Sequence, residues 1–585
     1  MKIILNFLLL TIIALKINAN ENVEIIQLHT TPNLDQIVLE HNEVQDNADE
    51  NTQIDDEDLI EVDDTNTELQ ENIDQTVVYN ENFLSLSNQN DIDNYLSNLK
   101  NIKSDILKKE LFQLLEEVSL DYNTKKNKDI FYSIIKYFYE NGNISRAYNM
   151  LSIYSFEDDE RLDYYKMIEI NYLLSTFQLE KVCNIKDNLS TEVKLKNFLL
   201  EKIDIFCMVL SNNLAEAELL NTIIIESENE LDENFQSLYS LINFNDVNTD
   251  ELIFKTEINP NLIFLYSAMA RIAEVPLDEN FLKVDPKNLS IPIILNKSSP
   301  IEIRIKAATQ SYINKIISIE SLSALYQSVD FSSEELNNKN KTIETLSDNP
   351  ELVMAYYFQL INIQIFPSER LKALIEFWNY AKENKLEKIA YALTYQIVET
   401  IEVSSDNLEF GQEIAKCYIY NKQYDKALSW IEHYEKNNQI EDKSSHARSL
   451  LKLHFNTEEE YFIEIIDSYI DKNNIEKFKN YEELKYILQI SLDLEISDKI
   501  SEEFTDIYDQ RFLPSMFIIK NIKEAKINNN DDKFLTFSML SIDNKNWNEI
   551  HPEHLLLILN GYISYKNGNL LKEIIIEIFE DYQIL

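Results

Sequence analysis

Glycine is nearly absent: four residues, Gly142, Gly411, Gly561 and Gly568, serve a chain of 585. They are too scattered for a Gly-rich phosphate loop, and no Gly-x-Ser-x-Gly nucleophile elbow exists. Proline is also scarce, with ten residues. Folds dense in tight turns and close backbone approaches use glycine, so β-rich and doubly wound architectures are excluded. Histidine numbers seven, with none between His41 and His433, which leaves about two-thirds of the chain without the commonest acid–base side chain. Positive charge is short as well: 53 Lys and Arg stand against 102 Asp and Glu. A phosphate backbone or an anionic lipid surface would be repelled, so nucleic-acid and membrane-surface binding are disfavoured. A basic protein or peptide partner is compatible with this field.

The chain opens with Met1 and Lys2, an apolar run from Ile3 to Leu15, then Lys16 and a small-residue end at Asn18-Ala19. This is the layout of a secretory signal peptide over residues 1–19. The run is shorter than the roughly 20 apolar residues of a membrane span, so no stable membrane insertion is expected. Residues 20–82 read as a disordered acidic arm. Between Asn20 and Asn80 there are 18 acidic residues and no Lys or Arg, a composition that cannot bury enough apolar surface to order itself. Periplasmic or secreted localisation follows from the leader.

What the chain has is a helical period. Ile135, Ile170 and Ile205 occupy one apolar position, and Phe138, Leu173 and Met208 the next. After a polar turn come Ile144, Leu179 and Leu214, then Ala147, Val182 and Ala217, then Met150, Ile185 and Leu220. Within each helix the spacing of three puts the side chains on one face. Agreement at five positions in three copies shifted by 35 residues predicts helical hairpins, and hence an all-α α-solenoid. Further turn sites are expected near Asn384, Asn421, Asn456, Glu495, Asn530 and Gly568. Five prolines (Pro260, Pro276, Pro286, Pro292 and Pro300) interrupt the pattern and predict short helices joined by extended connectors. The expected organisation is an array over 83–255, a Pro-containing connector over 256–300, and a second array over 301–585.

Ile414-Ala415 with Tyr418, the turn Asn421-Lys422-Gln423-Tyr424, then Ala427 and Ile431 resemble the tetratricopeptide repeat. The resemblance implies stacked hairpins with a concave peptide-binding face. The first-half copies depart from it, with Ile135, Ile170 and Ile205 where that family has a small residue, so the fold is tetratricopeptide-like. The stretch Asn296 to Ala308, followed by Glu320 to Tyr326, is similar to a group of exported helical proteins of alphaproteobacteria. That likeness implies a periplasmic setting and no mechanism.

The search for chemistry returns no catalytic residue, no metal ligand set and no cofactor. His551-Pro552-Glu553-His554 is the only tight histidine pair. It lacks His-Glu-x-x-His spacing, and Pro552 beside Glu553 reads as a helix start. With so many carboxylates a pair can always be nominated, so pairing alone carries no information. Trp378, Trp430 and Trp547 are the only tryptophans, few for sugar platforms, and Trp430 falls at a core position of its repeat. The 32 tyrosines suit helix seams first and a binding groove second. Cys183 and Cys207 are candidates for a disulfide. In the repeat frame they lie at similar heights on neighbouring helices, whereas a helix started early by Ser190-Thr191 would leave them out of level. The alternative is two small unpaired residues in a seam. The expected function is an exported, non-catalytic protein-binding or scaffolding module. The rival is an envelope carbohydrate-active enzyme, a glycoside hydrolase or lytic transglycosylase, using paired carboxylates.

Overall fold

A computed structural model describes residues 89–117, 124–153, 159–188, 195–227, 231–244, 258–285, 287–404, 407–437, 446–455, 460–472, 478–494, 509–563, 565, 569–582 and 584. The leader, the acidic arm and the turn sites at Asn456, Glu495 and Gly568 lie outside the described residues. Among the described residues every element is helical, and the one β-type pairing is an isolated bridge between Phe512 and Ile550. The all-α expectation stands. No helix among the described residues is long and apolar enough to cross a membrane.

Some helices begin where side-chain caps satisfy the first backbone amides. Thr124 accepts from Asn127 N at 3.2 Å to open helix Lys125–Glu140, and Ser104 accepts from Leu107 N to open helix Asp105–Glu116. The apolar stripe then decides which face is buried. Ile135, Ile170 and Ile205 are fully buried, and Ala147, Val182 and Ala217 are buried to within 1 %. The small residues sit in tight helix seams, as their size requires. Leu214, by contrast, is exposed.

The hairpin turns share one backbone device. Left-handed residues fall at Gly142, Phe177 and Asn212, and each turn closes with a bond from the next residue back across the helix end. The bonds run from Asn143 N to Phe138 O, Gln178 N to Leu173 O and Asn213 N to Met208 O, at 2.9, 2.8 and 2.7 Å. The same closure recurs after Lys315, Lys385, Lys422 and Asn529. This is the Schellman ending of a helix, usually made with glycine. Here Phe, Lys and Asn hold the left-handed position at about 1–2 kcal/mol apiece. Phe177 is held by the Arg271 guanidinium, 3.9 Å above its ring.

Two apolar clusters form the interior. One joins residues 92–293 to residues 453–584; the other is built from residues 291–451. The two ends of the described chain therefore share a core. Helix Asp105–Glu116 packs against helix Asp531–Ile542, and Tyr95 meets Phe537 edge-on at 5.5 Å. Glu577, in helix Asn569–Asp581, accepts from Ser104 Oγ at 2.5 Å, from Asp105 N at 2.8 Å and from Trp547 Nε1 at 2.9 Å. The stretch 256–300 contains helices Ile263–Ile272, Glu279–Val284 and Ser290–Leu295, and most of the first and all of the last are buried. Aromatic rings fill the seams: Tyr148 stacks on Tyr172 with centroids 4.1 Å apart, and Tyr391 on Tyr420 at 5.2 Å. Trp378, Trp430 and Trp547 are all buried.

Candidate functional site

Three helix C-termini carry asparagine caps near one region. Helices Lys125–Glu140, Ile301–Ile313 and Pro367–Glu383 end at Asn141, Asn314 and Asn384. The first two of these turns, with Leu386 from the third, the turn Leu99–Ile102 and the segment around Lys287, wall a cavity of about 830 Å³. Gly142 sets the fit. At φ 82° it is left-handed, and a Cβ there would lie 2.7 Å from Lys287 Cβ, so only glycine admits this approach.

The wall has an unusual charge for this chain. Lys100, Lys108, Lys283, Lys287 and Lys306 line it, and Glu351 is the single lining carboxylate among the described residues. Lys100 is paired with Glu140 at 2.8 Å. Lys287 Nζ donates to Asn141 Oδ1 at 3.0 Å, and Lys108 Nζ donates to Asn314 Oδ1 at 3.4 Å, so two of the cap asparagines receive lysines. Burial lowers the pKa of Lys108, and Lys287 and Lys315 push it the same way against the opposing pull of Asp105. Burial and Lys100 lower that of Lys287, with Asp285 and Glu140 opposing. Burial again, then Lys109, Arg146 and Lys422, lower that of Lys315 against Asp105. Like charges thus act on one another across the hollow, where Lys108 is half-buried and Lys287 exposed. Amide side chains, among them Asn101, Asn143 and Gln310, add neutral donors and acceptors, and Ile102, Ile303 and Leu386 give an apolar wall. The hollow can recognise a ligand. The hydrogen bonds seen among the described residues that line it join no nucleophile to a base, and one carboxylate cannot run a two-carboxylate hydrolysis.

The residues singled out in the sequence lie elsewhere. Cys183, in helix Leu179–Asn188, is disulfide-bonded to Cys207, in helix Leu199–Leu210, with Cα atoms 5.8 Å apart. Ser190-Thr191 falls outside the described residues, and the second helix starts at Leu199 after a short 3₁₀ turn. Cys417 is a buried free thiol whose pKa is raised by burial, which makes it inert. His551 caps helix Pro552–Tyr562 through a bond from Glu553 N. His554 is buried against Ser541 Oγ at 2.8 Å, and burial, with His551, lowers its pKa to about 4. No group of metal-ligating side chains occurs among the described residues. Glu577 and Asp581, one turn apart on helix Asn569–Asp581, are both raised in pKa by burial. Glu577 is occupied by three donors and joins Ser104 and Asp105 to the C-terminal helix, while Asp581 accepts from Trp547 N.

Sequence reasoning missed the lysine-lined hollow because its members are spread from Lys100 to Lys306 with no common spacing. A signal was there: Lys100 to Lys109 and Lys283 to Lys306 are two locally basic islands in an acidic chain. No family model matches the chain, and neither a curated protein nor a solved structure is found to match it.

Proposed function

We propose that the chain is an exported, non-catalytic binding and scaffolding module of tetratricopeptide-like helical hairpins, working in the periplasm. The observation that carries the reading is the hollow itself: recognition groups from distant parts of the chain meet there without the partners that turnover needs. The repeat architecture is supported by left-handed turns at Gly142, Phe177 and Asn212, thirty-five residues apart, with the same closing bond in each. Export is supported by the leader-like start of the sequence and by the Cys183–Cys207 bond, which suits an oxidising compartment. The likeness of residues 296–326 to exported alphaproteobacterial helical proteins points the same way.

A carbohydrate-active enzyme of the envelope has no observation in its favour, since Glu577 and Asp581 are already engaged by Ser104, Asp105 and Trp547. The test is a pull-down from envelope fractions beside a cell-wall polymer degradation assay. Retention of a partner in defined stoichiometry, with no polymer cleaved, supports the reading. Release of sugar fragments that stops on Glu351→Gln overturns it.

A further inference from the structure

We infer that the lysine-lined hollow is a binding site for a small organic oxyanion, a phosphate ester or a polycarboxylate, gripped between Lys108 and Lys287. This rests on the binding reading above and narrows it to a ligand class.

Composition is the first argument. In a chain with 102 acidic and 53 basic residues, the lining inverts the ratio, with five lysines to one carboxylate among the described residues. The excess acid elsewhere makes this the wrong surface for a basic partner.

The partners of the two central ammonium groups are the second. Lys287 donates to the amide oxygen of Asn141, while Lys108 donates to that of Asn314 and lies 5.9 Å over the Phe112 ring. These acceptors carry no formal charge. The helix ends they cap contribute about half a negative charge each, which offsets part of a lysine and no more. Asp105, Asp285 and Glu140 also act on the cluster, but Glu140 already holds Lys100 at 2.8 Å and Lys136 at 3.8 Å. An oxyanion between Lys108 and Lys287 relieves their repulsion and takes a charge-assisted hydrogen bond from each.

The rest of the hollow describes the ligand. Lysines act as point charges and demand no planar fork, which fits phosphate and carboxylate alike. Asn101, Asn143 and Gln310 suit a hydroxylated or amide-bearing body, and the volume matches a small organic molecule.

The competing account is that the lysines only neutralise the helix ends. It predicts a loss of stability on removing them and no ligand. Calorimetric titration of the full mature chain with inorganic phosphate, citrate, glucose 6-phosphate and uncharged glucose separates the two. The probes run to about 10 mM at roughly 0.02 M salt, where charge is least screened. The expected result is saturable binding of at least one anion, weakened about tenfold or more by Lys108→Met and by Lys287→Met, with the helical circular dichroism unchanged. Glucose does not bind measurably. Binding of no anion, or anion binding indifferent to both variants, overturns the inference. Binding of glucose alone would sink the anion assignment while leaving a binding protein, whereas sugar release in the degradation assay sinks the function itself.

Discussion

Replacing Glu577 tests how the two ends of the described chain are held together. Its carboxylate takes Ser104 Oγ, the Asp105 amide and Trp547 Nε1, at 2.5, 2.8 and 2.9 Å. Ser104 and Trp547 are buried, so neither reaches water if the acceptor is lost. Hydrogen bonds to a charged group are worth about 1.5–3 kcal/mol each, and a stranded buried donor costs about 1–3 kcal/mol. Against this stands the cost of keeping a carboxylate buried, which is why burial raises its pKa despite the three donors. The balance for Glu577→Ala is a loss of about 3–4 kcal/mol. Glu577→Gln keeps one acceptor oxygen but turns an amide N–H₂ toward one of the donors, for a loss of about 1–2 kcal/mol. Urea unfolding followed by circular dichroism gives the totals. Hydrogen exchange gives the location: faster exchange in helices Asp105–Glu116 and Asn569–Asp581, and none of it in helix Gly411–Tyr420. A Glu577→Ala chain within about 0.5 kcal/mol of the parent, a neutral surface-type change, would refute the reasoning.

Opening Cys183–Cys207 by Cys183→Ser should cost roughly 3 kcal/mol, the chain entropy of a loop this short. Non-reduced peptide mapping of periplasmic protein checks the bond, and two free thiols there would count against it. His554 is neutral when folded: the unfolded chain takes its proton below the ordinary 6.5, the folded chain only near pH 4. Stability present above pH 6.5 is therefore lost as pH falls through that window, by about 3 kcal/mol in all, and melting curves of His554→Gln should lack this part of the acid loss. Glu577 acts oppositely, since a raised carboxyl pKa favours the fold at low pH and loses ground as pH rises, so each variant is compared with the parent at every pH. Gly561→Ala places a Cβ 2.0 Å from the Phe534 ring and should lower stability by about 1–3 kcal/mol or more, read as a drop in melting temperature.

The helices and their turns were legible because their causes are local. Apolar spacing placed Ile135, Ile170 and Ile205 on a buried face, and Asn141-Gly142-Asn143 announced its own turn. The non-glycine turns at Phe177 and Lys385 carried no such mark, because side chains that strain the backbone look unremarkable in a sequence. The prolines of 256–300 said nothing of burial, which comes from packing of helix Ile263–Ile272 on helix Leu162–Ser175 and of helix Ser290–Leu295 on helix Ile301–Ile313. Least legible was whatever joins distant residues. Ser104 and Glu577 stand 473 positions apart, and Lys108 meets Asn314 across 206, so neither the closure nor the hollow leaves a periodic trace. The overall negative charge pointed to a basic partner, whereas the hollow has the opposite sign because fold topology brings two minor basic islands together.

Native mass spectrometry of the chain, isolated gently from its own cells, tests most directly whether the hollow binds without transforming. The account predicts an adduct of one discrete mass, released as an intact anionic molecule and absent from a Lys108→Met/Lys287→Met chain that stays folded. A bare parent chain, or an adduct that survives in the double variant, would contradict it.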